Sequence, residues 1–343
     1  MRRLHKLICA AQPVLRSTGI ARRIAVALLG ALALLPAAAP GRGAGYPDRP
    51  IHIIVPFEPG GGGDIIVRLV GQELSQRLAV PVVVENRTGA SGNIGTDVVA
   101  HAAADGYTLL MANVAPMAIN AALYRQLPYD PAKDFTAIAP LAVFANILVV
   151  PPSLGVHDVK ALVALSKNRP AGLNYASAGA GSITNLAAVM FGLATGANMV
   201  QVPFRGGGPA IAALVGSHVD LYFSSLPAAL PYIQSGQLVA LGVTSAARSA
   251  SAPEIPTLAE SGLPGFAAVT WIGLVGPAGL PDEVVVRLNT AVNEILRMPA
   301  MQDRMLQVGA EPSFGSADGY AAYIRSEVTR WAEIVREAHI PPQ

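Results

Sequence analysis

Cysteine is almost missing from this chain. Cys9 is the only one in 343 residues, and it falls in a leader that is expected to be removed. The mature chain therefore has neither a disulfide nor a thiol nucleophile. Histidine is scarce too. Beyond residue 45 it occurs at His52, His101, His157, His218 and His339, and no two share a metal-ligand spacing such as H-x-x-x-H. No metal and no cofactor are expected. A G-x-S-x-G nucleophile elbow is also lacking, since Ser177 has Tyr175 two residues before it where glycine is required. That leaves a hydrolase as a remote alternative. No apolar run is a comfortable length for a membrane span.

The first 45 residues read as an export signal. Arg2, Arg3, Lys6, Arg16, Arg22 and Arg23 make a positive start, 24–35 is a short apolar stretch, and small residues follow at 36–39 and 41–45. Pro40 disfavours cleavage after Ala39, so cleavage is expected just before Tyr46. Cys9 is not at a lipid-attachment position, and no lipid anchor is expected. Seven of the 24 basic residues lie in this leader and none of the 22 acidic ones, which leaves 17 against 22 and a net charge of −5. No basic patch argues for a nucleic-acid partner. The remaining 298 residues suit one large α/β domain or two smaller ones.

The most informative stretch is 51–64, IHIIVPFEPGGGGD. Ile51, Ile53, Ile54 and Val55 read as a buried strand ending at Pro56. Four glycines at 60–63 let the backbone turn and approach a ligand closely. Asp64 can cap the helix expected over 65–78. A glycine-lined helix start offers free N–H groups and a positive dipole end, which attract anions. A nucleotide fits poorly. No Walker lysine follows Gly63, the glycines lack G-x-G-x-x-G spacing, and Glu58 would repel a polyphosphate.

Short apolar runs alternate with helical patterns along the chain, as in βαβ units with a mainly parallel sheet. Strands are expected at 51–55, 82–85, 108–111, 145–150, 173–175, 199–202, 219–223 and 239–243. Helices are expected at 65–78, 94–102, 159–167, 183–194, 210–215, 281–296, 301–308 and 317–338. Hinge segments are expected near 144–150 and 243–247.

Ordered motifs then point to a family. They are YPDRPI at 46–51, PF at 56–57 with the glycines to Asp64, VENR at 84–87 and GASGNIG at 89–95. DGYTLL at 105–110, LPYD at 127–130 with KDF at 133–135, and NYAS at 174–177 come next. VPFRG at 202–206, Pro256-Thr257 with Glu260, and Trp271 complete the series. Over 46–340 the chain resembles the Bug (Bordetella uptake gene) family of tripartite tricarboxylate transporter solute-binding proteins.

The resemblance implies an α/β, two-lobed periplasmic-binding-protein type II fold with a hinge and an interlobe cleft. Lobe one would be 46–145 plus the returning 244–343, and lobe two 146–243. It further implies a periplasmic, monomeric, non-enzymatic protein. Such a protein captures a small carboxylated or amide solute by closing its cleft, then delivers it to membrane permease subunits. A sensory protein reporting to a membrane receptor is the alternative. The carboxylate would be held by backbone groups and ordered water, without an arginine clamp.

On lobe one the expected ligand-binding residues are Phe57, Glu58, Gly60, Gly61, Asp64, Ala90, Ser91 and Asn113. On lobe two they are Ser177, Ala178, Gly181, Ser182, Thr184, Phe204, Arg205, Ser224 and Ser225. Ser182 or Thr184 can cap the helix at 183. Arg205 can meet a carboxylate or bond carbonyls of its own turn. Glu58 stands where relatives usually carry a small or apolar residue. It either pairs with a cationic or amide group or is a solvated loop charge. Asp64 reads more as a cap than as a contact. Trp271 can line the cleft or sit in the hinge core. Asn185, Val189 and Ala213 replace polar residues common in relatives, so lobe two is less polar than theirs.

Overall fold

The computed structural model describes residues 45–337 and Ile340. Residues 1–44 of the leader and the end of the last expected helix lie outside the described residues.

Strand β1 (Ile51–Val55) is nearly all buried, and helix α1 (Gly62–Leu78) returns the chain to β2 (Val82–Asn86), parallel to it. Helix α2 (Asn93–Ala100) leads to β3 (Thr108–Asn113), parallel to β1 on its other side. Two helical segments, Ala115–Ile119 and Asn120–Leu123, precede the long strand β4 (Phe135–Val150).

A second set of units comes after it: α3 (Val159–Asn168), β5 (Leu173–Ser177), α4 (Ile183–Thr195), β6 (Met199–Pro203), α5 (Gly207–Val215), β7 (Leu221–Ser225), α6 (Leu226–Gln234) and β8 (Val239–Val243). The chain returns through β9 (Val269–Pro277), α7 (Asp282–Leu296), α8 (Pro299–Gln307), the short β10 (Glu311–Pro312) and α9 (Ala317–Glu337).

The strand order is β2-β1-β3-β9-β4-β7-β5-β6, with β8 and β10 also on β4. One strand carries the whole plan. Up to Ala145, β4 pairs with β9; from Asn146 onward it pairs with β7, and from Ile147 with β8. The sheet therefore has two halves joined along β4.

A buried polar knot marks the join. Asn146 Nδ2 donates to the Ala268 carbonyl (3.0 Å), Thr270 Oγ1 donates to Asn146 Oδ1 (3.2 Å), and the Asn146 N–H donates to Thr244 Oγ1 (3.0 Å). Three passages of the chain meet there. Two of them are the hinge segments expected from the sequence; the third, at 268–270, is not.

The sheet is mixed, not mainly parallel. β9 runs antiparallel to both β3 and β4, and β4 is antiparallel to β7 and β8. Strand β9 and the first part of β4 are not expected from the sequence. Apart from Val269, every residue of β9 is buried, so it lacks the regular polar–apolar alternation that marks a half-buried strand. Helix α6 also goes unsignalled, because Pro227 and Pro231 resemble loop punctuation. Pro227 occupies the first turn, where a missing N–H costs nothing. Helix α1 starts at Gly62, three residues earlier than expected.

Trp271 belongs to the core. It is 1% exposed and donates to Glu327 of α9 (2.9 Å).

Candidate functional site

Both halves of the sheet send the carboxyl ends of their strands to one place, where open α/β sheets gather ligands. A cavity of about 60 Å3 lies there, enough for several waters given that one needs about 10–15 Å3. From the first half come the loop after β1, Met111 and Asn113 of β3, and Ala115. From the second come Ala178, Ser182, Ile183, Thr184, Gly207, Tyr222 and Ser225, while Phe144 and Thr270 close it beside the join.

Four helices begin at this cavity: α1 at Gly62, α4 at Ile183, α5 at Gly207 and α6 at Leu226. Each carries about half a positive charge at its start. At the start of α1 the N–H groups of Gly63 and Asp64 have no intrahelical partner, and no side chain caps that end. Asp64 is not the cap. It is the third helical residue, and its carboxylate accepts from the Gly60 N–H (3.1 Å), Arg68 Nε (3.0 Å) and Asn86 Nδ2 (3.0 Å). On α4, Ser182 is the cap, accepting from Asn185 N, and it is tied to Thr184 (2.9 Å). Asn113 Oδ1 accepts from the Ala115 N–H (3.0 Å), which leaves its amide NH2 as the group it can offer a ligand. Tyr222 is held neutral by burial, which raises its phenol well above the usual range.

Among the described residues no lysine, arginine or histidine lines the cavity, and the charged ones there are Glu58 and Asp64. Glu58 Oε1 accepts from Thr88 Oγ1 (3.1 Å).

The two halves touch over the cavity. Gly62 N donates to Ser225 Oγ (3.1 Å), and Gly181 N donates to Ser91 Oγ (3.1 Å). Pro59 and Gly60 pack against Gly208, and Glu58 against Gly206. Glycine is needed at these points because a side chain would hold the halves apart.

Of the residues expected from sequence, Phe57, Glu58, Gly61, Asp64, Asn113, Ala178, Ser182, Thr184 and Ser225 line the cavity. The others stand elsewhere. Ser91 and Gly181 form the bridge just described, and Ala90 is exposed beside it. Gly60 lies in a neighbouring surface groove. Phe204 and Arg205 line a second groove next to Glu58, and Arg205 is exposed, with no carbonyl of its turn bonded to it. Ser224 is buried and donates to the Ser225 carbonyl (3.2 Å). Ser177 is buried behind the wall and accepts from Gln201 (2.8 Å) and the Gly179 N–H (3.4 Å).

Sequence reasoning does not find Met111, Phe144, Ile183, Tyr222 and Thr270. Met111 and Tyr222 are within reach of the strand-end rule. Phe144 and Thr270 are not, because their position depends on the β4–β9 pairing.

Known proteins share this plan. The family described as tripartite tricarboxylate transporter family receptor matches residues 66–340. BugT of Bordetella pertussis is 39% identical over 301 residues, covering 88% of this chain and 92% of that protein. A Rhodopseudomonas palustris protein solved with adipate superposes with a TM-score of 0.84 at 35% identity, over 87% of this chain and all of that one. The periplasmic binding protein BugD gives 0.84 at 32%, over 87% and 100%. MatC from R. palustris, with bound malate, gives 0.80 at 32%, over 84% and 100%. The fold is therefore the two-lobed periplasmic-binding-protein fold, and the cavity is its interlobe cleft.

Proposed function

The chain belongs to the tripartite tricarboxylate transporter receptor family, and from that premise we propose that it captures a small carboxylated solute in the cleft between its lobes. It holds the solute by closing and hands it to membrane permease subunits. The observation that carries this reading is the meeting of four helix starts at a cavity that no cationic side chain among the described residues lines. Oriented N–H groups and dipole ends can hold one carboxylate without the desolvation cost of a buried arginine.

The protein works by differential affinity between open and closed states, not by making bonds. Residues 46–145 and 244–343 form lobe one and 146–243 lobe two. The change of partners along β4 at Asn146 and the end of β8 at Val243 support these boundaries. The leader directs the mature chain to the periplasm, where it acts as a monomer. No helix among the described residues is long and apolar enough to cross a membrane.

Mature protein, unfolded and refolded to strip bound solute, tests the reading in a thermal-shift screen of carboxylates. A ligand at 100 times its Kd adds about 2.7 kcal/mol, which raises Tm by roughly 5–10 °C for a chain of this size. A selective shift with carboxylates is expected. No shift across the panel, from protein shown to be refolded, would overturn it.

A further inference from the structure

Resting on the carboxylate reading above, the charge inventory of the cavity narrows the solute class. Four helix starts supply about two positive charges in total, at about half a charge each. Of the two acidic residues at the cavity, Asp64 is already matched by Arg68, Asn86 and the Gly60 N–H. Glu58 is not. Its partner is the neutral hydroxyl of Thr88, and no ion pair reaches it among the described residues. Setting one Glu58 charge against the helix starts leaves about one positive charge, enough for a single ligand carboxylate. A second would enter a low-dielectric space with no cation to receive it and with Glu58 as a like-charged neighbour.

The remaining wall is apolar. Phe57, Met111, Phe144, Ala178, Ile183 and the ring of Tyr222 surround the space, and the neutral polar groups beside them are the hydroxyls of Ser182, Thr184, Ser225 and Thr270 and the Asn113 amide.

We propose that this cleft selects a solute with one carboxylate, an apolar body, and a neutral or hydrogen-bond-donating second end, and that it rejects the matching dicarboxylate. Glu58 is the specificity residue. Its carboxylate accepts from an amide or amino group and repels a second anion.

Calorimetric titration of stripped protein with matched compounds tests this at two chain lengths. The four-carbon set is butanoate, succinamate, 4-aminobutanoate and succinate; the six-carbon set is hexanoate, adipamate, 6-aminohexanoate and adipate. Within the length that fits, a one-carboxylate member is expected to bind at least about tenfold more tightly than the dicarboxylate. Glu58→Gln should narrow that gap by raising dicarboxylate affinity and lowering that of the amide or amino member. A dicarboxylate that binds as tightly as its partners to the unaltered protein overturns the proposal and leaves the carboxylate reading standing. Binding by no member of either set overturns both. The comparison on the unaltered protein decides the matter even where Glu58→Gln fails to fold.

Discussion

Gly208 illustrates how single residues set the distance at which the two halves can meet. A Cβ there would fall well inside contact distance of the Pro59 carbonyl oxygen on the opposing lobe, while its backbone angles suit any residue. Gly208 lies in the first turn of α5, where alanine is the better helix former by roughly 0.5–1 kcal/mol. Gly208→Ala should therefore leave the ligand-free protein as stable as before or slightly more so, yet weaken solute binding by about tenfold or more. Denaturant melts and titrations on the same preparation check both signs. Unchanged affinity would mean that the lobes can close without this contact. Gly62 is a second such position, where an added Cβ would come within 2.8 Å of Ser225 Oγ across the cleft.

The same scale shows which site residues are readable in advance. Phe57, Gly61, Asn113, Ala178 and Ser225 lie at or just beyond the ends of strands recognised from their apolar runs, and a strand's carboxyl end is where such sheets bind ligands. Arg205 shows the limit. Its residue type suggests a carboxylate partner, but its turn carries the side chain to the outer groove.

At the scale of elements, helix α9 is anchored through one buried carboxylate. Glu327 is 5% exposed and accepts from the indoles of Trp271 on β9 (2.9 Å) and Trp331 (3.2 Å), with Arg330 beside it (3.1 Å). Glu327→Leu leaves two buried indole N–H groups without an acceptor, each costing about 1–3 kcal/mol. We expect a loss of about 2–5 kcal/mol in chemical unfolding, with ligand affinity per folded molecule unchanged because Glu327 does not line the cavity. A loss below about 1 kcal/mol would show that the helix is held by its apolar face alone. Periodicity locates α9 on the chain, and alternating charge marks it as a surface helix docked by one face. Neither signal identifies β9 as the strand that receives it.

The whole molecule is organised by β4, which belongs to both halves, and by the knot of Asn146, Thr244, Ala268 and Thr270 where it changes partners. A molecule that closes about such a join should become more compact on binding. Small-angle scattering of stripped protein is expected to give a larger radius of gyration than the same protein saturated with solute, and the saturated profile should match the structure in which the two halves touch over the cavity. Identical profiles with and without bound solute would mean that the lobes do not move on binding.

Most of the local order is legible in the chain alone. Apolar runs, helical periodicity and the glycine turn at 60–63 are written in near neighbours, because backbone preferences and side-chain spacing act over a few residues. The family is legible there too, through motifs strung in order along the chain. Assembly of the sheet was needed to bring β9 back between β3 and β4, to carry Phe144 and Thr270 to the cavity, and to set Asn86 against Asp64 and Thr88 against Glu58. Those facts depend on pairings between residues far apart in the chain, such as Thr270 with Phe144 and Ser225 with Gly62. Partner choice at such distances is fixed only when all the strands have met.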